Sequence, residues 1–170
     1  AVNWVKSEAG AQAVVAGIEA AGGRALAVQG DVASEDDIVR LFKTAESELG
    51  PIEGLVNNAG ITGGMAKVID VSAAQVEQVL TANVVGSFLC AREAIREFMR
   101  RGIRPEISCA AGKIICISSV HEVIPWAGHV NYAASKGGVM LMMKSLAQEV
   151  AEHHIRVNSI APGAIRTPIN

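Results

Sequence analysis

The chain has 170 residues, half of them hydrophobic, and a formal net charge of −2 at pH 7. Acidic and basic residues are interspersed, so we expect neither a nucleic-acid partner nor a charged contact with a membrane. No apolar run approaches the roughly 20 residues that a membrane span needs. The three cysteines lack metal-ligand spacing and predict reduced thiols in a cytoplasmic protein without a metal site. The length favours one domain over residues 1–170.

Strand-like and helical segments alternate along the chain. Strands are predicted at residues 1–5, 25–29, 52–56, 113–118 and 155–160. Helices are predicted at residues 7–21, 34–49, 72–101 and 130–151. Ser34 is typical of a helix N-cap, and the continuous apolar run 114–117 is typical of a strand covered on both faces. This alternation predicts right-handed crossovers onto a parallel sheet, and therefore a doubly wound α/β fold.

Polar or glycine-containing turns follow most of the predicted strands. Ligands of parallel α/β sheets bind beyond the carboxyl ends of the strands. Four turns occupy such positions, namely Asp31, residues 57–60, residues 118–119 and residues 162–163. We therefore expect these loops to converge on one crevice.

Tyr132 and Lys136 lie four residues apart at the start of a predicted helix. Positions i and i+4 share a helix face, with Cβ atoms about 5 to 6 Å apart. A positive charge about 4 Å away at an effective dielectric of about 20 would favour the phenolate by about 4 kcal/mol. Tyr132 could then exchange a proton near neutral pH. Taken alone, such a pair is more often an ordinary contact on a helix surface.

Several short motifs follow one another in a recognisable order: Asp31-Val32, Asn57-Asn58-Ala59-Gly60, Asn83, Ser119, Tyr132-x-x-x-Lys136, and Pro162-Gly163 with Thr167. Together they resemble the classical short-chain dehydrogenases/reductases, from the second strand of that family's Rossmann-like fold to just past the sixth. The resemblance implies that the family's first strand, its glycine-rich T-G-x-x-x-G-x-G turn, and its last helix and strand are missing. We expect a fragment or an incompletely represented parent, with a gap in its sheet.

The resemblance also implies a catalytic group. Tyr132 would exchange a proton with the substrate oxygen, and Lys136 would support the phenolate and hold the nicotinamide ribose. Ser119, thirteen residues before Tyr132, would hydrogen-bond the substrate oxygen. Asn83 would hold a water in the proton relay. By itself Ser119 could be a cap or turn residue, and Asn83 could be a structural hydrogen-bonding residue within a helix.

An NAD(P) site is implied in the same way. Asp31 would bond the adenine amino group with Val32 against the ring, although Asp31 could instead be an acid at a helix N-terminus. The other implied cofactor contacts are Asn58, Ala59, Gly60, Tyr132, Lys136, Pro162, Gly163, Ile165 and Thr167. Residues 3–7 contain no acid for the ribose 2′-hydroxyl. Lys6 and Ser7 could meet a 2′-phosphate, which favours NADP over NAD, but Lys6 could equally be a solvated surface charge.

Residues 118–126 and 163–170 resemble those of bacterial glucose 1-dehydrogenases. We therefore expect hydride transfer between NAD(P) and a secondary alcohol or carbonyl, with glucose as the favoured substrate. The predicted substrate contacts are Ser119, His121 and Tyr132. His121 with Glu122 could bind a polyol, or could form only a surface or subunit contact.

Two alternatives to a glucose dehydrogenase remain open. The alternative within the family is a 3-oxoacyl-carrier-protein reductase or another ketone reductase. A carrier protein would require a basic patch, for which the candidates are Arg96, Arg100, Arg101 and Arg104. A nucleotide-sensing module without catalysis is the alternative from another class, and the complete set of Ser119, Tyr132 and Lys136 argues against it. The family resemblance implies a homotetramer assembled through the helices at 72–101 and 130–151.

Overall fold

The computed structural model describes residues 1–166. Within that range, the strands are β1 (Val2–Trp4), β2 (Ala27–Gln29), β3 (Gly54–Asn57), β4 (Gly112–Ile117) and β5 (Ile155–Ile160). The α-helices are α1 (Glu8–Ala20), α2 (Glu35–Leu49), α3 (Ala73–Leu80), α4 (Gly86–Arg101) and α5 (Val130–Glu149). No helix in this part of the chain is both long enough and apolar enough to cross a membrane.

All strand pairs are parallel, which confirms the predicted α/β class, but the described strands form two sheets. β1 pairs with β2, and β4 lies between β3 and β5. A cavity of about 820 Å³ separates the two sheets and is lined by residues of β1, β3, α1, α2 and α4. The gap expected within the sheet is therefore present, because β1 and β3 do not pair with each other.

Serine caps begin three of the helices. The side chains of Ser7, Ser34 and Ser72 accept hydrogen bonds from backbone N–H groups of α1, α2 and α3. Each such cap contributes about 1 kcal/mol, because it satisfies a donor that has no partner within the helix. The predicted cap at Ser34 is confirmed.

The helix predicted at residues 72–101 is interrupted in the structure. A π-helical turn, Thr81–Val85, separates α3 from α4. Gly86 begins α4 at a close approach, because a Cβ there would lie 2.7 Å from the carbonyl oxygen of Val32. The π turn holds Asn83, whose amide is bonded to a distant loop.

The main hydrophobic core packs α4 and α5 against the three-stranded sheet. Phe98, Ile114 and Cys116 are fully buried in it, together with Val139 of α5. Gly112 is required at the start of β4, because a Cβ there would overlap the ring of Phe98. Coverage of β4 is unequal, since the residues of its second face are half-buried or exposed. The predicted cover of the run 114–117 is therefore complete on the face of Ile114 and Cys116 and partial on the face of Ile115 and Ile117.

Candidate active site

The loops that follow β4 and β5 are joined at one end of the sheet. The N–H of Ser118 donates to the carbonyl of Ile160 at 2.8 Å, and the N–H of Val120 donates to that of Pro162 at 3.0 Å. The start of α5 meets the same edge, because Lys136 Nζ donates to the Ile117 carbonyl at 3.0 Å. Ser119 and Pro162 therefore lie together at the start of α5, as the predicted crevice requires.

Lys136 is a buried ammonium in this crevice. Its Nζ lies 5.6 Å from the centroid of the Tyr132 ring, so the two side chains share a helix face as expected. Burial lowers the pKa of Lys136, and the nearby Cys116 and Glu122 oppose that shift. One N–H of the ammonium is used by the Ile117 carbonyl, which leaves two donors for a ligand.

Asn83 joins a loop to the start of α5. Its Oδ1 accepts from the N–H of Ile61 at 2.8 Å, and its Nδ2 donates to the Ile61 carbonyl at 2.9 Å and to Ser135 Oγ at 2.9 Å. Ser135 Oγ donates in turn to the Tyr132 carbonyl at 2.7 Å. Asn83 is thus a structural hydrogen-bonding residue, on the kind of π turn that often marks functional sites. Its role in holding a water stays a prediction.

Ser119 begins a short 3₁₀ turn, Val120–Glu122, directly after β4. Its Oγ accepts from the N–H of His121 at 3.2 Å, so the serine does cap a turn. A hydroxyl that accepts one hydrogen bond retains its own hydrogen as a donor. Ser119 can therefore act as a cap and still donate to a substrate oxygen.

Three rings are stacked beside Tyr132, and we call them the three-ring stack: His121, Trp126 and His129. The Trp126 ring stacks with both imidazoles, with centroids 4.4 Å from His121 and 3.7 Å from His129 and interplanar angles of 13°. The Tyr132 ring meets Trp126 edge-on at 5.8 Å and His121 at 6.4 Å. Edge-to-face contacts at these distances are favourable, so the stack holds the phenol ring from one side.

His121 contacts two hydroxyl-bearing residues of the crevice, Ser119 and Tyr132. Its backbone N–H binds Ser119 Oγ, and its ring touches that of Tyr132. The ring Nδ1 lies 3.0 Å from the Ile124 carbonyl. Because a carbonyl only accepts, Nδ1 is assigned the hydrogen, and Nε2 of the neutral ring carries the lone pair.

Sequence reasoning identified His121 but missed Trp126 and His129. A usable signal existed, because one of the two tryptophans, two of the four histidines and the single tyrosine lie within residues 121–132. Clustering along the chain does not establish that the rings stack.

The predicted cofactor positions fit a ribose near Lys136. Asn58, Ala59 and Gly60 are exposed after β3. A Cβ at Gly60 would lie 3.2 Å from Asn83 Oδ1 and 3.6 Å from Lys136 Nζ. The bare glycine therefore lets the backbone approach Asn83 and the buried cation closely. Lys136 keeps two N–H donors, which suit the hydroxyls of a ribose.

The remaining predicted cofactor residues are spread around this region. Asp31 is exposed, and its Oδ1 accepts from the N–H of Ala33 at 2.9 Å, a local turn contact. Val32 is half-buried and packs against the core of α2 and α4. Gly163 and Ile165 are exposed beyond β5. Thr167 lies outside the described residues.

Comparison with known proteins places this geometry in a family. A family model described as short chain dehydrogenase matches residues 2–170. Over 169 residues the chain is 44% identical to "3beta-hydroxysteroid dehydrogenase 1" of Eggerthella lenta. The alignment covers 99% of this chain and 61% of that protein. It is 37% identical over 169 residues to "Glucose 1-dehydrogenase 2" of Bacillus subtilis, with 99% and 63% covered.

Solved structures agree with these relatives. An acetoin dehydrogenase from Enterobacter cloacae superposes with a TM-score of 0.89 at 34% identity, over 99% of this chain and 64% of that one. A short chain dehydrogenase from Burkholderia cenocepacia in complex with NADP gives 0.87 at 32% identity, also over 99% and 64%. The chain therefore spans 61 to 64% of the length of these proteins. It belongs to the short-chain dehydrogenase family.

Proposed function

We propose that this protein transfers hydride between NAD(P) and a secondary alcohol or its ketone. The observation that carries the proposal is the buried ammonium of Lys136 beside the Tyr132 ring, in the crevice that also contains Ser119. A buried cation next to a phenol favours the phenolate. This arrangement supports proton transfer to and from a substrate oxygen.

The oxidation of an alcohol requires the removal of a hydride and a proton. A bound oxidised nicotinamide would supply the acceptor for the hydride of the alcohol carbon. The Tyr132 phenolate accepts the proton from the alcohol oxygen, and the Ser119 hydroxyl donates a hydrogen bond to that oxygen. The products are a ketone, the reduced nicotinamide and a neutral phenol, which then returns its proton to solvent. Lys136 stabilises the phenolate, and the three-ring stack limits the orientations of the Tyr132 ring.

NADP is the favoured cofactor, as the sequence predicts, with NAD as the alternative. The two remaining N–H groups of Lys136 would hold the ribose hydroxyls beside Gly60. Lys6 is exposed after β1 and would meet a 2′-phosphate. Ser7 accepts from the N–H of Gly10 and keeps its own hydrogen for the phosphate. The related short chain dehydrogenase in complex with NADP supports this preference.

The substrate has several candidates. The relative named as a glucose dehydrogenase supports the predicted glucose, whereas the relative named as a 3beta-hydroxysteroid dehydrogenase supports a steroid alcohol. A carrier-protein reductase also matches, at 37% identity. However, the arginines proposed as its basic patch are all paired with glutamates: Arg96 with Glu93, Arg100 with Glu97 and Glu46, Arg101 with Glu53, and Arg104 with Glu53 and Glu106. This pairing lowers the net charge available to an acidic partner.

A cytoplasmic location and a homotetramer are further proposals. Cys90, Cys109 and Cys116 are free thiols, which suits a reducing compartment. Apolar side chains remain exposed on the two helices implied in assembly, including Phe88 on α4 and Leu141 on α5. Sedimentation of the purified protein would test the tetramer.

The test of the function uses the protein as the cell makes it. Reduction of NADP and NAD is followed with glucose and a panel of secondary alcohols, and the reverse reaction with the ketones. Tyr132→Phe should lower kcat by at least about a hundredfold while cofactor binding, followed by fluorescence, persists. Turnover that survives Tyr132→Phe would contradict the mechanism. Cofactor binding without turnover of any alcohol or ketone would favour the nucleotide-sensing module.

A further inference from the structure

The turn between β2 and α2, residues 29–31, is fixed by hydrogen bonds from two sides. On the β1 side, the N–H of Gly30 donates to the Trp4 carbonyl at 2.9 Å, and Asn3 Nδ2 donates to the Gly30 carbonyl at 2.8 Å. Asp31 follows with an exposed side chain. Because little packing surrounds that side chain, the hydrogen bonds of its backbone determine where its carboxylate lies.

Asp37, in the first turn of α2, holds the other side of this turn. Its Oδ2 accepts from the N–H of Asp31 at 2.9 Å. Its Oδ1 accepts from Arg40 Nη2 at 2.6 Å, and Arg40 Nη1 donates to the Gln29 carbonyl at 2.9 Å. One carboxylate and one guanidinium thus close a ring of hydrogen bonds over residues 29–31. Hydrogen bonds to ionised groups are about twice as strong as those between neutral groups.

Asp37 does not make the hydrogen bond of an ordinary helix start. In a capping box, the side chain three residues after the N-cap accepts from the N–H of the N-cap residue itself. The N–H of the N-cap Ser34 instead donates to the Asp31 carbonyl at 2.9 Å, and the Asp37 carboxylate accepts from the N–H of Asp31. Both backbone groups of Asp31 are therefore bound, so its side chain stands on a fixed backbone.

The two carboxylates at this turn have different partners. The Asp31 N–H and the Arg40 guanidinium hold the pKa of Asp37 below its ordinary value of 3.8, so Asp37 is charged at neutral pH. The Asp31 side chain uses its Oδ1 for the N–H of Ala33. Its Oδ2 accepts no hydrogen bond within residues 1–166. Oδ2 is therefore the oxygen that remains for the adenine amino group, the contact that the family resemblance implies for Asp31.

We propose that Asp37 is a positioning residue for the cofactor: it holds the turn that presents Asp31, and thereby raises the affinity for the adenine end of NAD(P). The inference rests on the proposed function and adds to it a residue that acts through Asp31 without touching the ligand. Arg40 supports the same turn, because it binds both Asp37 and the Gln29 carbonyl.

The test compares Asp37→Ala with Asp36→Ala in the protein as the cell makes it. Asp36 is the matched control, because it lies in the same helical turn and is exposed, and its side chain makes no hydrogen bond or ion pair within residues 1–166. Both variants remove one negative charge, so their long-range effects on an anionic ligand are equal. Calorimetry with NADP and with ADP-ribose measures the dissociation constants.

Asp37→Ala should weaken the binding of both ligands about tenfold, the loss expected for one charge-assisted hydrogen bond. Asp36→Ala should change it less than about twofold. In turnover, Asp37→Ala should raise KM for NADP about tenfold and change kcat less than about twofold, because Tyr132 and Lys136 belong to the other sheet. Equal dissociation constants for the two variants, or a lower melting temperature of Asp37→Ala with unchanged affinity, would overturn the inference.

A double variant tests whether Asp37 acts through Asp31. In an Asp31→Ala background, Asp37→Ala should weaken ADP-ribose binding less than about twofold, because no carboxylate remains to be positioned. The same tenfold loss in both backgrounds would overturn the inference. Asp37→Asn keeps the size and one oxygen acceptor but loses the charge, so its loss should lie between those of the unaltered protein and Asp37→Ala. A loss larger than that of Asp37→Ala would also overturn it.

Failure of the inference can be distinguished from failure of the proposed function. If the unaltered protein binds neither NADP, NAD nor ADP-ribose, the proposed function itself is contradicted. If it binds them and Asp37→Ala behaves like Asp36→Ala, the inference alone is contradicted.

Discussion

The three-stranded sheet and the two-stranded sheet differ in how well residues 1–166 support them. β4 is paired on both sides, and α4 and α5 bury Phe98, Ile114 and Cys116 against it. β1 and β2 have three residues each, and their inner edge faces the cavity. Ser119, Tyr132 and Lys136 belong to the well-packed half, whereas Asp31 and Lys6 belong to the other. Packing therefore positions the reactive groups more firmly than the groups predicted to meet the adenosine.

Substitution of Lys136 should have the largest effect on activity. It also distinguishes a role in catalysis from a role in packing. Lys136→Met keeps the volume but removes the ammonium that supports the Tyr132 phenolate. We expect kcat to fall about a thousandfold, while the melting temperature is unchanged or higher because a desolvated charge is gone. Steady-state kinetics and calorimetry would check this. A large fall in the melting temperature would instead show that the ammonium is needed for the fold.

Two glycine substitutions contrast a close-packed position of the three-stranded half with an open position on α1. Gly112→Ala should lower the free energy of unfolding by about 1–3 kcal/mol, because its methyl group overlaps the Phe98 ring. Gly17→Ala should raise it by about 0.5–1 kcal/mol, since Gly17 lies within α1 and a Cβ there meets nothing within 4 Å. Denaturant unfolding measures both. Equal effects of the two changes would contradict the overlap with the Phe98 ring at Gly112.

His121 allows the ring contact and the hydrogen bond of one residue to be tested separately. His121→Phe keeps a ring against Trp126 and Tyr132 but loses the bond to the Ile124 carbonyl, whereas His121→Asn keeps a donor and loses the ring. An aromatic pair contributes about 0.5–1.5 kcal/mol. If the ring contacts position Tyr132, we expect kcat to fall about tenfold in His121→Asn and less than about threefold in His121→Phe. The opposite order would assign the positioning to the hydrogen bond.

The smallest effect concerns stability at alkaline pH. Burial lowers the pKa of Lys136 from its ordinary value of 10.5, so the unfolded chain binds more protons between the two pKa values. Lys136 should therefore make the free energy of unfolding increase as the pH rises through that window. Lys136→Met should lack this contribution. Unfolding of both proteins measured from pH 8 to 11 would check the sign, and a difference that falls with pH would contradict it.

Local patterns in the sequence determined the element types, the Ser34 cap and the order of the site motifs. The order of elements also identified the gap between β1 and β3, through the family resemblance. Tyr132 and Lys136 could be placed on one face because four residues of helix define their spacing whatever surrounds them. These conclusions depend on neighbours along the chain or on a fixed order of strands.

Contacts between distant segments could not be obtained in this way. Asn83 bonds Ile61, 22 residues away, and this pairing accompanies the π turn that the helical pattern did not predict. The planes of His121, Trp126 and His129 depend on the backbone path of a loop, which composition does not specify.

The sequence by itself thus determined the fold class, the family and the set of candidate residues, because periodicity and motif order are properties of the chain. Only the tertiary structure decided which hydrogen bonds those residues make, which rings stack, and that Arg100, Arg101 and Arg104 are paired with glutamates of distant segments. These features arise when segments far apart in the chain come together and exclude water. No single segment encodes them.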